Sequence, residues 1–383
     1  MSGEVKTEII NQFLLQSVSR KILCKSFYKF SQEKVPGIFS CCRRHIKNEK
    51  TTKIISNQDS CFYANLQKCK SVWVCPVCSA QIANVRLNNL ENSVESWLKR
   101  NSCHGTGMLT LTIPHYCAES LKTVKARFQK ARLFFRNQKK LKKNSYHMCY
   151  SEIAEKFGIV GGITSHELTY GSNGWHVHSH EMLFFSRKLT DKDIEQLEIW
   201  LGLAWQYAVK RVGIKITGTN DFWQNSLDFK MSKDGKKKGG SGIADYLVKV
   251  SDSWSLSKEL TLANIKKGNS GSRTPWDFLR YVFWGIDIEE NKKLFREYAR
   301  NFAGSKHLFF SMHMKSILDY NEIDDEFELE PEVEKEFMEL SAVEWNIVLK
   351  SDKRFEVLQV AKKEGFAAVM DYIENNFKKV VKK

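Results

Sequence analysis

Residues 165–185 most narrow what this chain can fold into. They run Ser165-His166-Glu167-Leu168-Thr169-Tyr170-Gly171-Ser172-Asn173-Gly174-Trp175-His176-Val177-His178-Ser179-His180-Glu181-Met182-Leu183-Phe184-Phe185. Two runs rich in β-branched and aromatic residues flank a Gly-Ser-Asn-Gly turn, the pattern of a β-hairpin. Side chains alternate along a strand, so His176 and His178 leave the same face. A loop of two or four residues pairs Glu167 with His178 and Thr169 with His176, which brings the carboxylate to that face. A three-residue loop would send it to the other side. Two imidazoles and a carboxylate on one patch make half of a coordination sphere and leave positions open for substrate. His180 shares the face, where packing or a hydrogen bond to a ligand is its expected part. A His-x-His pair alone also fits histidines that merely pack or face solvent.

The charge balance narrows the partner. Lys and Arg number 60 against 44 Asp and Glu, a net charge of +16 with a pI near 9.2. Such an excess suits a polyanion, nucleic acid before a membrane surface. The first residues, Met1-Ser2-Gly3-Glu4-Val5-Lys6, lack the basic-then-apolar order of a secretory signal. No apolar run approaches the roughly 18–20 residues of a membrane span. The expected compartment is therefore the cytoplasm, where ten cysteines are better suited to metal than to disulfides.

The cysteines concentrate toward the N-terminus. Cys75-Pro76-Val77-Cys78 is a zinc knuckle, two thiolates that one ion can draw together across a tight turn. Cys69 is the expected third ligand. Cys61 is taken as the fourth, with Cys41, Cys42 and His45 as alternatives. A closed site of four ligands leaves no place for substrate, so its zinc would be structural. Buried free thiols are the plainer alternative, and no βαβ pattern supports a redox pair.

Along the chain, residues 1–60 are basic and poorly periodic. Apolar residues at helical spacing over 80–100 predict a helix, and Met108–Pro114 a strand closed by proline. A basic amphipathic helix is expected over 119–143, the hairpin next, and then a helix over Asp191–Val212. Residues 214–230 suggest a strand or two. A basic glycine-rich loop from Lys233 to Gly242 leads into a helix that starts at Ile243. Residues 276–320 read as helical, 322–336 as an acidic linker, and 340–380 as a small helical cap. The sum is an α+β fold, a central antiparallel sheet with flanking helices. The expected units are a Cys-rich N-terminal region (1–100), a core domain (101–255), its helical extension (256–320), and the acidic linker with its cap (321–383).

The motifs, taken in order, resemble those of the HUH endonucleases, and among them the plasmid rolling-circle replication initiators. Leu109-Thr-Leu-Thr112 is similar to the first motif, Asn173-Gly-Trp-His-Val-His-Ser-His180 to the second, and Ala244-Asp-Tyr-Leu-Val-Lys249 to the third. Thr274-Pro-Trp-Asp277 and Phe302-Ala-Gly-Ser-Lys-His307 are similar to downstream segments, and the cysteine knuckle has a counterpart. The resemblance covers roughly residues 61–320. It implies a ferredoxin-like nuclease core that nicks one strand at a plasmid's double-strand origin, forming a 5′-phosphotyrosine and leaving a 3′-OH primer. Tyr246 matches the nucleophile, Lys249 the helix lysine, and His176 and His178 two ligands of a catalytic metal, with Glu167 as its carboxylate. The glutamate that some relatives place before the tyrosine is absent, so Asp245 is left to activate water. No second tyrosine follows on the same helix face. Host helicase and polymerase are implied partners, because no phosphate-binding Gly-x-x-x-x-Gly-Lys-Ser/Thr loop occurs.

The chemistry suits these residue types. A phenol with a pKa near 10 is a poor nucleophile at neutral pH, so charge must be drawn off the phosphate. Mg²⁺ or Mn²⁺ would do so, the histidines tilting the choice toward Mn²⁺. Lys249, three residues beyond Tyr246, shares its helix face. The rival readings are a facial-triad iron oxygenase, an HUH transposase or conjugative relaxase, and a non-enzymatic zinc-module DNA-binding regulator.

Overall fold

The computed structural model describes residues 11–23, 37–57, 60–138, 148–216, 219–231, 271–320 and 336–377. Its centre is the hairpin. β4 (Ile159–Gly171) and β5 (Gly174–Phe185) pair antiparallel from Gly171–Gly174 at the turn to Ile159–Phe185. Only Ser172 and Asn173 lie between them, and Gly174 closes the turn at φ +82°. A Cβ there would stand 2.9 Å from Cys117 Cα, so glycine is required twice over, for its dihedral and for the close approach.

β3 (Gly105–Thr112) pairs with the other edge of β5, and β6 (Leu227–Met231) with β3. The short β7 (Leu308–Phe310) adds to β4 over Ile163–Ser165, which completes a five-stranded antiparallel sheet in the order β6-β3-β5-β4-β7. β5 is buried along almost its whole length because helices cover both sides. On one face Leu109, Leu111, Val177, Leu183 and Phe185 pack with α3 (Leu121–Asn137) and α5 (Asp191–Arg211), whose Phe128, Phe135, Leu201 and Trp205 are fully buried. On the other, Met108, Ile163, Met182 and Phe184 meet Leu90, Val94 and Trp97 of α2 (Pro76–Arg100). Toward the hairpin turn this second face exchanges hydrocarbon for the histidine row.

The remaining helices build around this frame. α1 spans Gln12–Ile22, α4 Tyr150–Phe157 and α6 Thr219–Ser226. α7 (Pro275–Trp284) begins with a Thr274–Asp277 capping box and Pro275 at its first position, a start that satisfies its orphan amides. α8 (Ile288–Phe302) and the single-turn α9 (Met314–Ile317) follow. Of the strand or two expected over 214–230, β6 supplies one at the end of the segment, and α6 precedes it.

A second, three-stranded sheet joins the two ends of the chain. β1 (Thr52–Asn57) lies between β2 (Ser60–Ala64) and β8 (Phe337–Leu340). Ile54, Tyr63 and Leu340 pack with Trp345, Val357 and Val369 from α10 (Ala342–Lys350), α11 (Arg354–Glu364) and α12 (Phe366–Phe377). Trp345 donates to Arg43 O at 2.9 Å, and Tyr63 to Arg354 O at 2.8 Å. The C-terminal helices are thus built onto N-terminal strands. The fold is α+β with antiparallel sheets, and no helix among the described residues is long and apolar enough to cross a membrane.

Candidate metal centre and its surroundings

The register places Glu167 opposite His178, Thr169 opposite His176 and Ser165 opposite His180, as a two-residue loop requires. Glu167 Oε2 lies 3.1 Å from His178 Nε2 and 3.1 Å from His180 Nε2. These three residues form a group whose donor atoms all fall within 4.8 Å of one another. His180 Nδ1 lies 3.1 Å from Thr110 Oγ1 on β3, which turns its Nε2 toward the carboxylate. His176 lies next to these residues, its ring centroid 4.9 Å from that of His178. Its Nε2 is 2.9 Å from Thr112 Oγ1, and its ring stacks on His115 with centroids 4.9 Å apart. Of the residues expected from sequence, the structure therefore gathers Glu167 and His178, and sets His180 in the place given to His176. Strand alternation puts all three imidazoles on one face and cannot choose among them; the threonines of β3 make the choice.

The donor set fits a divalent cation. Two imidazole nitrogens and a carboxylate oxygen converge, both rings are buried, and the Glu167 side chain is 29% exposed, which leaves the group open on one side. Such a site keeps positions for oxygen ligands of a substrate.

Behind the histidines, on the opposite sheet face, Glu181 is fully buried between two arginines of α3. Arg132 Nε donates to it at 2.7 Å and Arg136 to its other oxygen. Burial disfavours the charge, but Arg136 and then Arg132 outweigh it and hold the carboxyl down at about 2. Arg132 also donates to Thr164 Oγ1 at 3.1 Å, and the Arg136 guanidinium lies 4.0 Å from the Tyr150 ring centroid. This clamp fixes β5 one residue from His180. Its only trace in the sequence is a pair of arginines at i and i+4 within a basic helix. Burial, reinforced by Arg132, lowers His166 to about 3, so its ring is neutral at pH 7. Burial, reinforced by Arg86, lowers His307 to about 4.

The second cluster is sulfur. Sγ of Cys41 lies 3.7 Å from that of Cys75 and 3.4 Å from that of Cys78, and Cys69 Sγ is 3.7 Å from Cys78 Sγ. A tetrahedron of thiolates ~2.3 Å from zinc has edges of roughly 3.8 Å, so the spacing fits a structural Cys₄ site. Gln16 Nε2 donates to Cys75 Sγ at 3.1 Å, and the Cys69 amide to Cys41 Sγ at 3.3 Å, the outer bonds that such a site uses. Hydrogen bonds from Cys41, Cys69 and Cys75 draw the Cys78 thiol far below its ordinary range. Cys61, expected as the fourth ligand, instead lies on β2 with its Sγ 3.5 Å from Ser56 Oγ; Cys41 takes that place. His45 bonds Thr52 Oγ1 at 3.0 Å. Tyr246, Lys249 and Asp245 lie outside the described residues.

No family model matches the chain, and no solved structure matches it. A second similar protein, "Neomycin resistance protein" of Streptomyces cyanogenus, is 26% identical over 134 residues, 31% of this chain and 30% of that one. The longer match is to "Protein rep" of Streptomyces lividans, 24% identical over 299 residues, which span 66% of this chain and 64% of the relative.

Proposed function

We propose that this chain is a replication initiator of the rolling-circle kind, which nicks one DNA strand through a tyrosine nucleophile. The observation that carries it is the convergence of Glu167 with His178 and His180 on one face of the sheet. The similarity to a protein called "Protein rep", the charge of +16 and the motif order agree with it.

Glu167, His178 and His180 would hold Mg²⁺ or Mn²⁺. A divalent ion there supplies positive charge to a non-bridging phosphate oxygen. The Tyr246 phenolic oxygen then bonds to phosphorus while the bond from phosphorus to the 3′ oxygen breaks. The leaving oxygen takes a proton and becomes the 3′-OH, and the 5′ phosphate stays esterified to the tyrosine. Lys249 would favour the phenolate, and Asp245 is the nearest carboxylate in sequence for deprotonating an attacking water. Thr110 bonds the His180 ring, and Thr112 bonds the His176 ring. Arg132 and Arg136 keep β5 seated on α3.

The test is covalent capture. In Mn²⁺ or Mg²⁺, with single-stranded DNA from the replicon that encodes this chain, the protein is expected to form a band that survives denaturing electrophoresis. Tyr246→Phe should abolish that band and keep DNA binding. An adduct that persists in Tyr246→Phe removes the nucleophile assignment. Cleavage that is indifferent to metal removes the role given to Glu167, His178 and His180.

A further inference from the structure

A cavity of about 200 Å³ opens beside the Glu167 group. Its walls come from α2, the β4 edge, the start of α7, α8 and the turn before β7, and they include Trp73, Arg86, Leu168, Trp276, Tyr298 and His307. Drug-sized ligands occupy roughly 300–1,000 Å³, so this space suits a single ring system. Glu167 lines the cavity and also completes the histidine group, so a strand whose phosphate sits at that group passes its mouth.

The lining matches one kind of ring. Trp73 is fixed by its indole donating to Ser305 O at 2.7 Å and by contact with the His307 ring, centroids 5.3 Å apart. Trp276 is only half-buried: it packs against the main core and also lines the cavity. Arg86 on α2 is half-buried and makes no ion pair with a described carboxylate. The strand edge adds main-chain groups. β7 covers β4 only as far as Ser165, and the next outside contact is the two-way bridge between Tyr170 and Arg273, at 2.8 and 2.7 Å. Tyr170 and Gly162 both turn their backbone groups outward, so by strand alternation Leu168 does too, into the cavity. An indole face, a guanidinium, an imidazole and an open strand edge are what stacks on a planar heterocycle and bonds its rim.

We propose that this cavity receives one unstacked nucleobase of a single strand, stacked on Trp276, its rim bonded by Arg86, His307 and the Leu168 main chain. The proposal rests on the nickase reading for the strand's path and deepens it by assigning a base-binding subsite next to the scissile phosphate. It also gives a purpose to the segments around Trp276 and His307, which the metal group leaves unused.

The test compares short fluorescein-labelled single strands, oligo-dT, oligo-dA and oligo-dC, with an abasic strand of equal phosphate number, by anisotropy on the full chain. Wild type is expected to bind its preferred base-bearing strand about tenfold more tightly than the abasic strand. Trp276→Ala should erase most of that difference and leave abasic binding unchanged, which shows that the variant is folded. Trp276→Phe should retain it, and Arg86→Met should alter the ranking of bases. Equal losses on both strands would mean that Trp276 is only structural. An unchanged preference in Trp276→Ala, with the Tyr246 adduct still forming, would overturn the base subsite and leave the nickase standing. Failure of wild type to bind any strand would overturn both.

Discussion

His180 shows at the residue scale what a two-residue period can and cannot reveal. The hairpin and the shared face of the imidazoles were legible from alternation, whereas the face of Glu167 turned on a loop length that the sequence left open and the structure gives as two residues. Which rings close on the carboxylate was not legible, since Thr110 and Thr112, which bond the His180 and His176 rings, come from a strand 70 and 64 residues away in sequence. A prediction separates the two histidines. His180→Ala should cost metal-dependent cleavage at least the roughly 10–100-fold that even outer partners of a metal ligand are worth. His176→Ala should cost clearly less, and a manganese titration of both variants reads the difference. Equal losses would restore His176 to the ligand set. The same ambiguity governed sulfur. Cys61 is the expected fourth ligand, with Cys41 among its alternatives, yet the β1–β2 pairing carries Cys61 to Ser56, and Cys41 folds back onto Cys75 and Cys78.

At the scale of elements, the hairpin depends on two supports that local pattern hardly displays. One is Gly174, whose φ of +82° and closeness to Cys117 leave no room for a side chain. Gly174→Ala should lower stability by more than about 1 kcal/mol in a urea titration. A neutral result would show that the turn relaxes freely. The other is the Glu181 clamp to α3. Its folded pKa of about 2 lies below the unfolded value of about 4.3, so it contributes stability above pH ~4.3. That contribution fades as pH falls from there toward 2. Replacing Glu181 by Ala strands two arginines, one of them beside Tyr150, and should cost about 3–5 kcal/mol at neutral pH. The acid-side slope of the stability profile should flatten in the same variant. Helix periodicity located α2, α3 and α5 well, because each buries one regular stripe. It missed β7 and β8, which are too short to carry a period and exist only because a longer strand offers an edge.

Across the whole molecule, the sulfur cluster and the C-terminal helices belong to one mechanical unit. Arg354, at the start of α11, is almost wholly buried and donates to Gln16 Oε1 at 2.7 Å, Phe13 O at 3.2 Å and Cys42 O at 3.3 Å. Gln16 in turn donates to Cys75 Sγ, so a chain of bonds links the C-terminal helices through α1 to one of the four clustered cysteines. Sequence order hides this, since more than three hundred residues separate the partners. If zinc fills the Cys₄ group, metal analysis should find about one ion per chain, retained in Cys61→Ser and lost in Cys41→Ser. Chelation should then lower the melting temperature of the entire protein and not merely loosen the N-terminus. Arg354→Met should lower it as well, because it leaves several buried acceptors without a donor. It should also speed zinc release to a chromogenic chelator, since the Gln16 amide would lose its anchor. Zinc release at the wild-type rate in a folded Arg354→Met protein would show that the two ends are neighbours without being coupled.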